Sequence, residues 1–507
     1  MSNPASVSTR SIEAAFPLTP LQEGMLYHTI REPAAGTYHV QCSAYVDGAL
    51  VPGLFARAWG LAVARHAALR TFFTWEGRER PLQVVRAMAD LGVEHLDWRG
   101  LSSSVQDARW RELVERDRSR GFDLAAAPLT RIVMVQLAPE RHRMLWSMHH
   151  AIMDGWSALL VLDEVMRDHA DLSQGQSPAR PVTPRFDRFV GWLDAQDRGR
   201  DEAFWRRTLA DIGEPLALPG GRRRRAQSAE RDRVTLELSA NETRAVTAAA
   251  ARLRVTVNTL LMGAWSLMLG RHAGRDDVLI GATVSERPAE IAGVDRAAGL
   301  YLSTVPVRAP SMRGTSLGAW LRLLQLELTE AQAHGAPGLA AIQRWGGRAA
   351  TSPLFESLVV FENFPDDAMR PFTSGGGAAK PAGELSISSA TMDVPNDVPL
   401  VLLALPGERL ALNVVYDPEA VPASVAKRLP SQLSMILAQL AGDSARSLDT
   451  IEMLDESERR QLLDEWSGAL GASPPATDVL QRFEQHAAAR PDAVALRTES
   501  AGISYAD

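Results

Sequence analysis

The stretch His149-His150-Ala151-Ile152-Met153-Asp154-Gly155 concentrates groups that can move a proton. An imidazole titrates near neutrality, so it can take a proton from an attacking nucleophile at physiological pH. Acyl transfer to an amine needs such a group beside the nucleophile. Residues Arg143 to Met148 are β-rich and end directly at the His pair. Successive residues on a strand face opposite ways. One histidine is therefore expected to face a cavity and the other to pack inside. Asp154 follows an apolar spacer, where it can orient a histidine or form an internal ion pair. Gly155 suits a tight turn and leaves its N–H approachable.

Two plainer readings compete. Both histidines could be hydrogen-bonded core residues, but a tandem pair with Asp-Gly at this offset is less easily explained that way. They could bind metal, but adjacent strand residues diverge and no other His or Cys cluster has ligand spacing. A covalent nucleophile is also unconvincing. Gly314-Thr315-Ser316-Leu317-Gly318 spells a hydrolase elbow, yet Pro310 to Arg313 separates it from the preceding strand. Thr315 or Ser316 reads better as a helix N-cap. There is no P-loop and no Gly-x-Gly-x-x-Gly. These observations favour direct transfer between two bound substrates, with positioning supplying much of the rate.

The elements that must hold this segment are mixed. Strands are expected at Tyr38 to Val46, Leu69 to Trp75, Leu82 to Val85 and Thr130 to Leu137, with helices at Leu50 to His66, Val105 to Asp117 and Ser157 to His169. Residues 172 to 184 read as a linker. Beyond it, Phe186 to Leu209 reads as one long helix. Further helices are expected at Asn241 to Arg252, Asn258 to His272, Leu317 to Ala333 and Ala423 to Leu440. Strands are expected at Val234 to Leu238, Val278 to Val284, Leu300 to Val307, Ser357 to Phe361, Leu400 to Leu405 and Leu410 to Tyr416. This interleaving predicts an α/β layered fold. Pro219 to Arg225 and Ser374 to Gly383 read as solvated loops.

Composition bounds the rest. A chain of 507 residues predicts two or three lobes. Its net charge of -7 argues against a nucleic-acid partner. No apolar run approaches a membrane span, and residues 1 to 15 lack a signal-peptide layout. Cys42 is the one cysteine, so no internal disulfide forms. Its register with Val40 and Ala44 suggests packing. A cytoplasmic location fits.

His-His-x-x-x-Asp-Gly resembles the signature of nonribosomal peptide synthetase condensation domains and related CoA-dependent acyltransferases. Pro17 to His28, Arg65 to Phe72, Phe186 to Trp192, Val284 to Pro288, Gly299 to Arg308, Pro353 to Ser357 and Phe361 to Asn363 are similar to further motifs of that family. The resemblance covers residues 16 to about 455. Phe483 to Gln485 and Arg490 to Leu496 resemble the start of an adenylation domain.

The resemblance implies two chloramphenicol-acetyltransferase-like lobes in a V-shaped pseudo-dimer with a tunnel between them. The implied boundaries are an N-terminal segment 1–15, lobes 16–178 and 179–455, a linker 456–478 and a truncated adenylation start 479–507. It implies that His150 is catalytic, with Gly155 on the tunnel wall and His149 packing. Asp154 is expected to pair with Arg70, so that Asp154→Ala strands a buried arginine. Trp156, Ser157, Ser303, Thr304, Glu362 and Asn363 are expected along the tunnel. No cofactor is expected on the domain itself, since substrates ride on coenzyme A or phosphopantetheine.

The implied reaction joins an acyl thioester to the amine of an aminoacyl group on a carrier domain. A starter domain using fatty acyl-CoA is expected, because only about fifteen residues precede the first motif. The alternative is an elongation domain served by an upstream carrier in trans. An epimerisation domain is disfavoured by the adenylation-like tail. A monomer adjoining an adenylation domain and a downstream carrier is expected. The chain departs from the family pattern at Glu286, where many relatives have Gly, at Ser303-Thr304 in place of Asn-Thr, and across Met392 to Leu400. Phe72, Phe189, Trp192 and Phe355 are expected to be core residues.

Overall fold

The computed structural model describes residues 12–33, 36–216, 218, 231–309, 314–349, 352–362, 385–395, 397–443, 445–466, 478–498 and 501–506. The chain divides into two compact units, Met1–Ile451 and Glu452–Asp507. The arginine run and the Gly-rich stretch lie outside the described residues, as do Asn363 and residues 467–477 of the expected 456–478 linker.

The first unit begins with β1 (Ile12–Pro17), α1 (Pro20–Arg31), β2 (His39–Asp47), α2 (Pro52–Arg65), β3 (Thr71–Thr74), β4 (Leu82–Arg86) and β5 (Val93–Asp97). It continues through α3 (Ser103–Arg120), β6 (Thr130–Ala138), β7 (Arg141–His149), α4 (Gly155–Ser173), α5 (Asp187–Asp194) and α6 (Arg198–Thr208). The later part holds β8 (Asp232–Glu237), α7 (Ala240–Leu253), α8 (Val257–Ala273), β9 (Val278–Ser285), β10 (Leu302–Ala309), α9 (Leu317–Ala333) and α10 (Leu339–Trp345). It closes with β11 (Ser357–Phe361), β12 (Ser386–Asp393), β13 (Leu400–Leu405), β14 (Ala411–Tyr416) and helices at Ala423–Ala426 and Leu429–Ala441.

Three sheets carry the unit. A small antiparallel sheet runs β1-β4-β3. A second runs β12-β2-β7-β6-β5, and a third β10-β9-β11-β13-β14-β8. β12 comes from far along the chain yet pairs antiparallel with β2, Met392 opposite Cys42. The division at 178/179 therefore falls between the first and third sheets, and only the second sheet crosses it, through β12.

Local sequence explains several starts. Thr19 and Gln22 exchange bonds in a capping box at α1, with Pro20 in its first turn. Ser239 and Glu242 do the same at α7. Helix α8 is apolar almost all round and is buried almost all round, as such a helix must be. The second sheet packs against α2 through Trp146 and Trp59, whose rings meet edge to face at 5.0 Å, and α2 packs on α4. Trp146 keeps its indole N–H satisfied on Thr130 Oγ1 at 2.8 Å. Phe72, Phe189, Phe355 and Cys42 are buried, and Trp192 is partly so.

Two expected helices are broken. Phe186 to Leu209 is α5 and α6, because Asp197 turns its carboxylate onto the Gly199 and Arg200 amides and starts a new helix. Ala423 to Leu440 restarts at Leu429, with Pro430 in the new first turn. Leu69 to Trp75 begins in a 3₁₀ turn, Ala67–Arg70, before β3. Ser316 is the N-cap of α9, though its hydroxyl makes no cap bond. β1, α1, β5, α10 and β12 were not anticipated from the pattern.

In the second unit, Val479–Ala489 is helical, and Val494–Arg497 pairs with Gly502–Ser504. Phe483 and Tyr505 rings meet at 5.4 Å. No helix among the described residues is long and apolar enough to cross a membrane.

Candidate active site

β7 delivers His149 as its last residue, and the chain turns at once into a 3₁₀ segment, His150–Ile152. The two histidines thus diverge because the strand ends between them. The His149 N–H bonds Leu129 O at 3.0 Å and the His150 N–H bonds Tyr38 O at 2.8 Å. Both backbones are fixed to neighbouring strands and loops.

His149 is buried and fully occupied. Its Nδ1 accepts from the Ala151 N–H at 3.2 Å, so the proton sits on Nε2, which faces Thr29 Oγ1 at 3.0 Å. Thr29 in turn donates to Met25 O. Burial, with the nearby His150 and His39, lowers its pKa to about 3. It is a buried, neutral, hydrogen-bonded group.

His150 differs. Its Nδ1 lies 3.0 Å from Met153 O. A carbonyl only accepts, so Nδ1 carries the proton and Nε2 presents its lone pair. Burial lowers its pKa, opposed in part by the Met153 bond and the Asp154 charge. The side chain is neutral at physiological pH, with a proton acceptor pointing away from its own loop.

Asp154 holds that loop. It caps α4, accepting from the Ser157 N–H at 2.7 Å. Its other oxygen accepts from the Tyr301 N–H at 2.9 Å, and its own N–H bonds Gly299 O at 3.0 Å. Its cation is Arg287, whose Nη2 lies 3.3 Å away. Arg287 also donates to Ser157 Oγ at 2.9 Å and packs over the Trp156 and Tyr301 rings. Gly299 is required here, because a Cβ would stand 2.5 Å from the Phe186 ring.

The expected Asp154–Arg70 pair is therefore corrected. Arg70 is buried, but it bonds Glu13, Arg86 O and Val63 O. It ends the 3₁₀ turn ahead of the small sheet, so its guanidinium ties α2 to β1 and β4. Arg287 follows β9 and arrives from the other side of the seam.

Among the other predicted residues, Ser157 is buried and locked to Gly299 at both ends, 2.8 and 3.1 Å. Trp156 donates to Asp295 O at 3.0 Å. Gly155 is the first residue of α4 and is partly exposed. Ser303 is buried on β10 and Thr304 is partly exposed beside it. Glu362 follows β11, its N–H on Ala404 O. Burial, and then the Asp154 charge, push its carboxyl up to about 7. Glu286 is also pushed up to about 7 by burial, against a Ser303 hydrogen bond that lowers it.

Sequence reasoning missed three supports. Arg287 lies within the Val284 to Pro288 motif, where its charge beside Glu286 gives no sign of its partner. Gln22 holds Ala151 O at 2.8 Å, and Thr29 holds His149. A polar Gln and Thr beside buried Met25 and Leu26 in an apolar-faced helix were the available signal.

The chain matches the family model for the condensation domain over residues 12–463. It is 35% identical to one of the linear gramicidin synthase proteins of Brevibacillus parabrevis, over 98% of this chain and 6% of that protein. It is 29% identical to surfactin synthase subunit 3 of Bacillus subtilis (strain 168), over 98% of this chain and 38% of that one. It thus spans a small part of these relatives. Its fold is similar to the starter condensation domain of rhizomide synthetase solved with C8-CoA and Leu-SNAC, at TM-score 0.73 and 20% identity, covering 87% of this chain and 98% of that one. A four-domain nonribosomal peptide synthetase bound to AMP and glycine gives TM-score 0.76 at 16% identity, covering 98% of this chain and 38% of that one. The two-lobed acetyltransferase-like fold, the tandem histidines on a pinned turn and these matches agree: the chain belongs to the condensation domain family, the amide-forming acyltransferases of nonribosomal peptide synthetases.

Proposed function

We propose that the domain joins a donor acyl thioester to the α-amine of an aminoacyl group tethered to a downstream carrier domain. The amine nitrogen attacks the thioester carbon, the C–N bond forms, the C–S bond breaks, and the thiol leaves on its carrier. The observation that carries this reading is the His150 tautomer: Nδ1 is committed to Met153 O, and Nε2 is left to accept the amine proton. Asp154 and Arg287 keep the turn in place without touching substrate. Gly155, Trp156, Ser303, Thr304 and Glu362 line the surrounding wall, with Ser157 holding it from behind.

The donor defines a finer choice. In the starter form it is fatty acyl-CoA, giving a lipopeptide. In the elongating form it is an acyl group on an upstream carrier, and the 35% identity to a linear gramicidin synthase protein favours this form. Residues 479–507 then begin an adjoining adenylation domain, and the setting is a cytoplasmic, monomeric synthetase module. The test incubates the domain and its loaded downstream carrier with octanoyl-CoA or with an aminoacyl upstream carrier. Amide from octanoyl-CoA alone supports the starter form, and amide from the carrier alone supports the elongating one. His150→Ala should slow amide formation at least about 10²-fold with unchanged melting. Near-normal turnover would overturn the role of His150.

A further inference from the structure

Two residues that break the family pattern, Glu286 and Ser303, meet in this fold. The Glu286 carboxyl is hydrogen-bonded to Ser303. Both face Gly335, where a Cβ would stand 3.1 Å from Glu286 Oε1 and 3.2 Å from Ser303 Oγ. The pair lies two hydrogen bonds from the His150 loop. The Glu286 N–H donates to Tyr301 O at 2.8 Å, and the Tyr301 N–H donates to Asp154.

The same spot is a seam between elements of the two lobes. Three residues past Gly335, Gly338 presses on the Pro20 ring of α1, leaving no room for a Cβ. Helix α1 also carries Gln22, which grips the turn after His150. So α1, the His150 turn, β10 and the 334–338 loop meet in one region, and Glu286 lies beside it against Gly335. Protein atoms surround its carboxyl, yet the residue stays partly exposed. Glu286 is therefore not sealed in a core. A carboxylate offers about four acceptor sites. Among the described residues, Ser303 occupies one of them.

We propose that Glu286, steadied by Ser303, is a specificity-determining residue that favours substrates bearing a side-chain amine over substrates bearing a hydrocarbon there. The proposal rests on the amide-forming reading above. An ammonium within about 4–6 Å stabilises the charged carboxylate that burial otherwise disfavours. A hydrocarbon removes water from the carboxyl and returns no partner. A site built around a polar partner rejects the analogue that lacks it far more strongly than an apolar pocket rejects a missing methylene.

The test compares lysyl with norleucyl N-acetylcysteamine thioesters. Each is offered once as donor and once as acceptor against a leucyl partner. The wild-type domain should prefer lysyl in one of the two arms by about tenfold or more in kcat/KM. Glu286→Gln keeps the shape and removes the charge. It should bring that ratio to within about threefold of one while norleucyl turnover stays near wild type. Glu286→Ala should act alike, so a folding defect in one variant leaves the other readable. An undiminished lysyl preference in both variants, or no preference in the wild type, overturns the proposal. Amide from neither thioester in the wild type overturns the condensation reading instead.

Discussion

Asp117, beneath the second sheet, and Glu286 and Glu362, at strand ends in the third, are all carboxyls enclosed by protein. Burial pushes all three toward the neutral acid. They end on opposite sides of the usual range. Around Asp117, hydrogen bonds from His39 and Ser147 and the charge of Arg131 outweigh burial and hold it well below that range. Gln41 adds another donor at 3.0 Å. The cluster ties α3 to β2, β6 and β7. Glu286 has a lone hydroxyl, and Glu362 has the Asp154 charge working against it. The first region spends its polar groups on architecture. The second leaves its carboxyls with few such donors, close to the loop that carries His150.

The largest effect should come from breaking the first region. Asp117→Ala leaves Arg131 and His39 without their carboxylate, and we expect a loss of about 3–5 kcal/mol in urea unfolding. A loss under 1 kcal/mol would mean that the cluster is not what holds α3 on the sheet. Next comes the seam. In a double-mutant cycle, Asp154→Ala and Arg287→Met should show a coupling of about 1–3 kcal/mol. Asp154→Ala with Arg70→Met should show almost none, because Arg70 serves the small sheet. Equal couplings would remove the distinction between the two arginines.

The arginine assignment marks where sequence reading stopped. Strand β11 and helix α9 were legible to the residue, because period-2 and period-3.6 patterns are local. His149 and His150 were separable in role before the structure, although the divergence comes from a strand end. The partner of Asp154 was not legible. The Arg70 and Arg287 side chains both become buried, and only the path of the chain after β9 decides between them. The contact between Glu286 and Ser303 was hidden for the same reason. β12 was hidden because its neighbour β2 lies more than 300 residues earlier.

The smallest expected effect bears on Glu362. Its carboxyl titrates near 7 in the folded chain and near 4.5 when unfolded. Between those values the unfolded chain releases a proton that the folded chain keeps. The stability linked to this group is therefore full below 4.5 and declines as pH rises through 7. Glu362→Gln fixes the neutral form. At pH 8 it should unfold about 1–2 kcal/mol harder than wild type, and at pH 4.5 no harder, read from urea midpoints. Asp117→Asn should have the opposite sign, weakening the fold at pH 8, since there the charge is what the neighbours hold. If Glu362→Gln also weakens the fold at pH 8, then Glu362 is paired in solution, and the contrast between the regions shrinks to Glu286 alone.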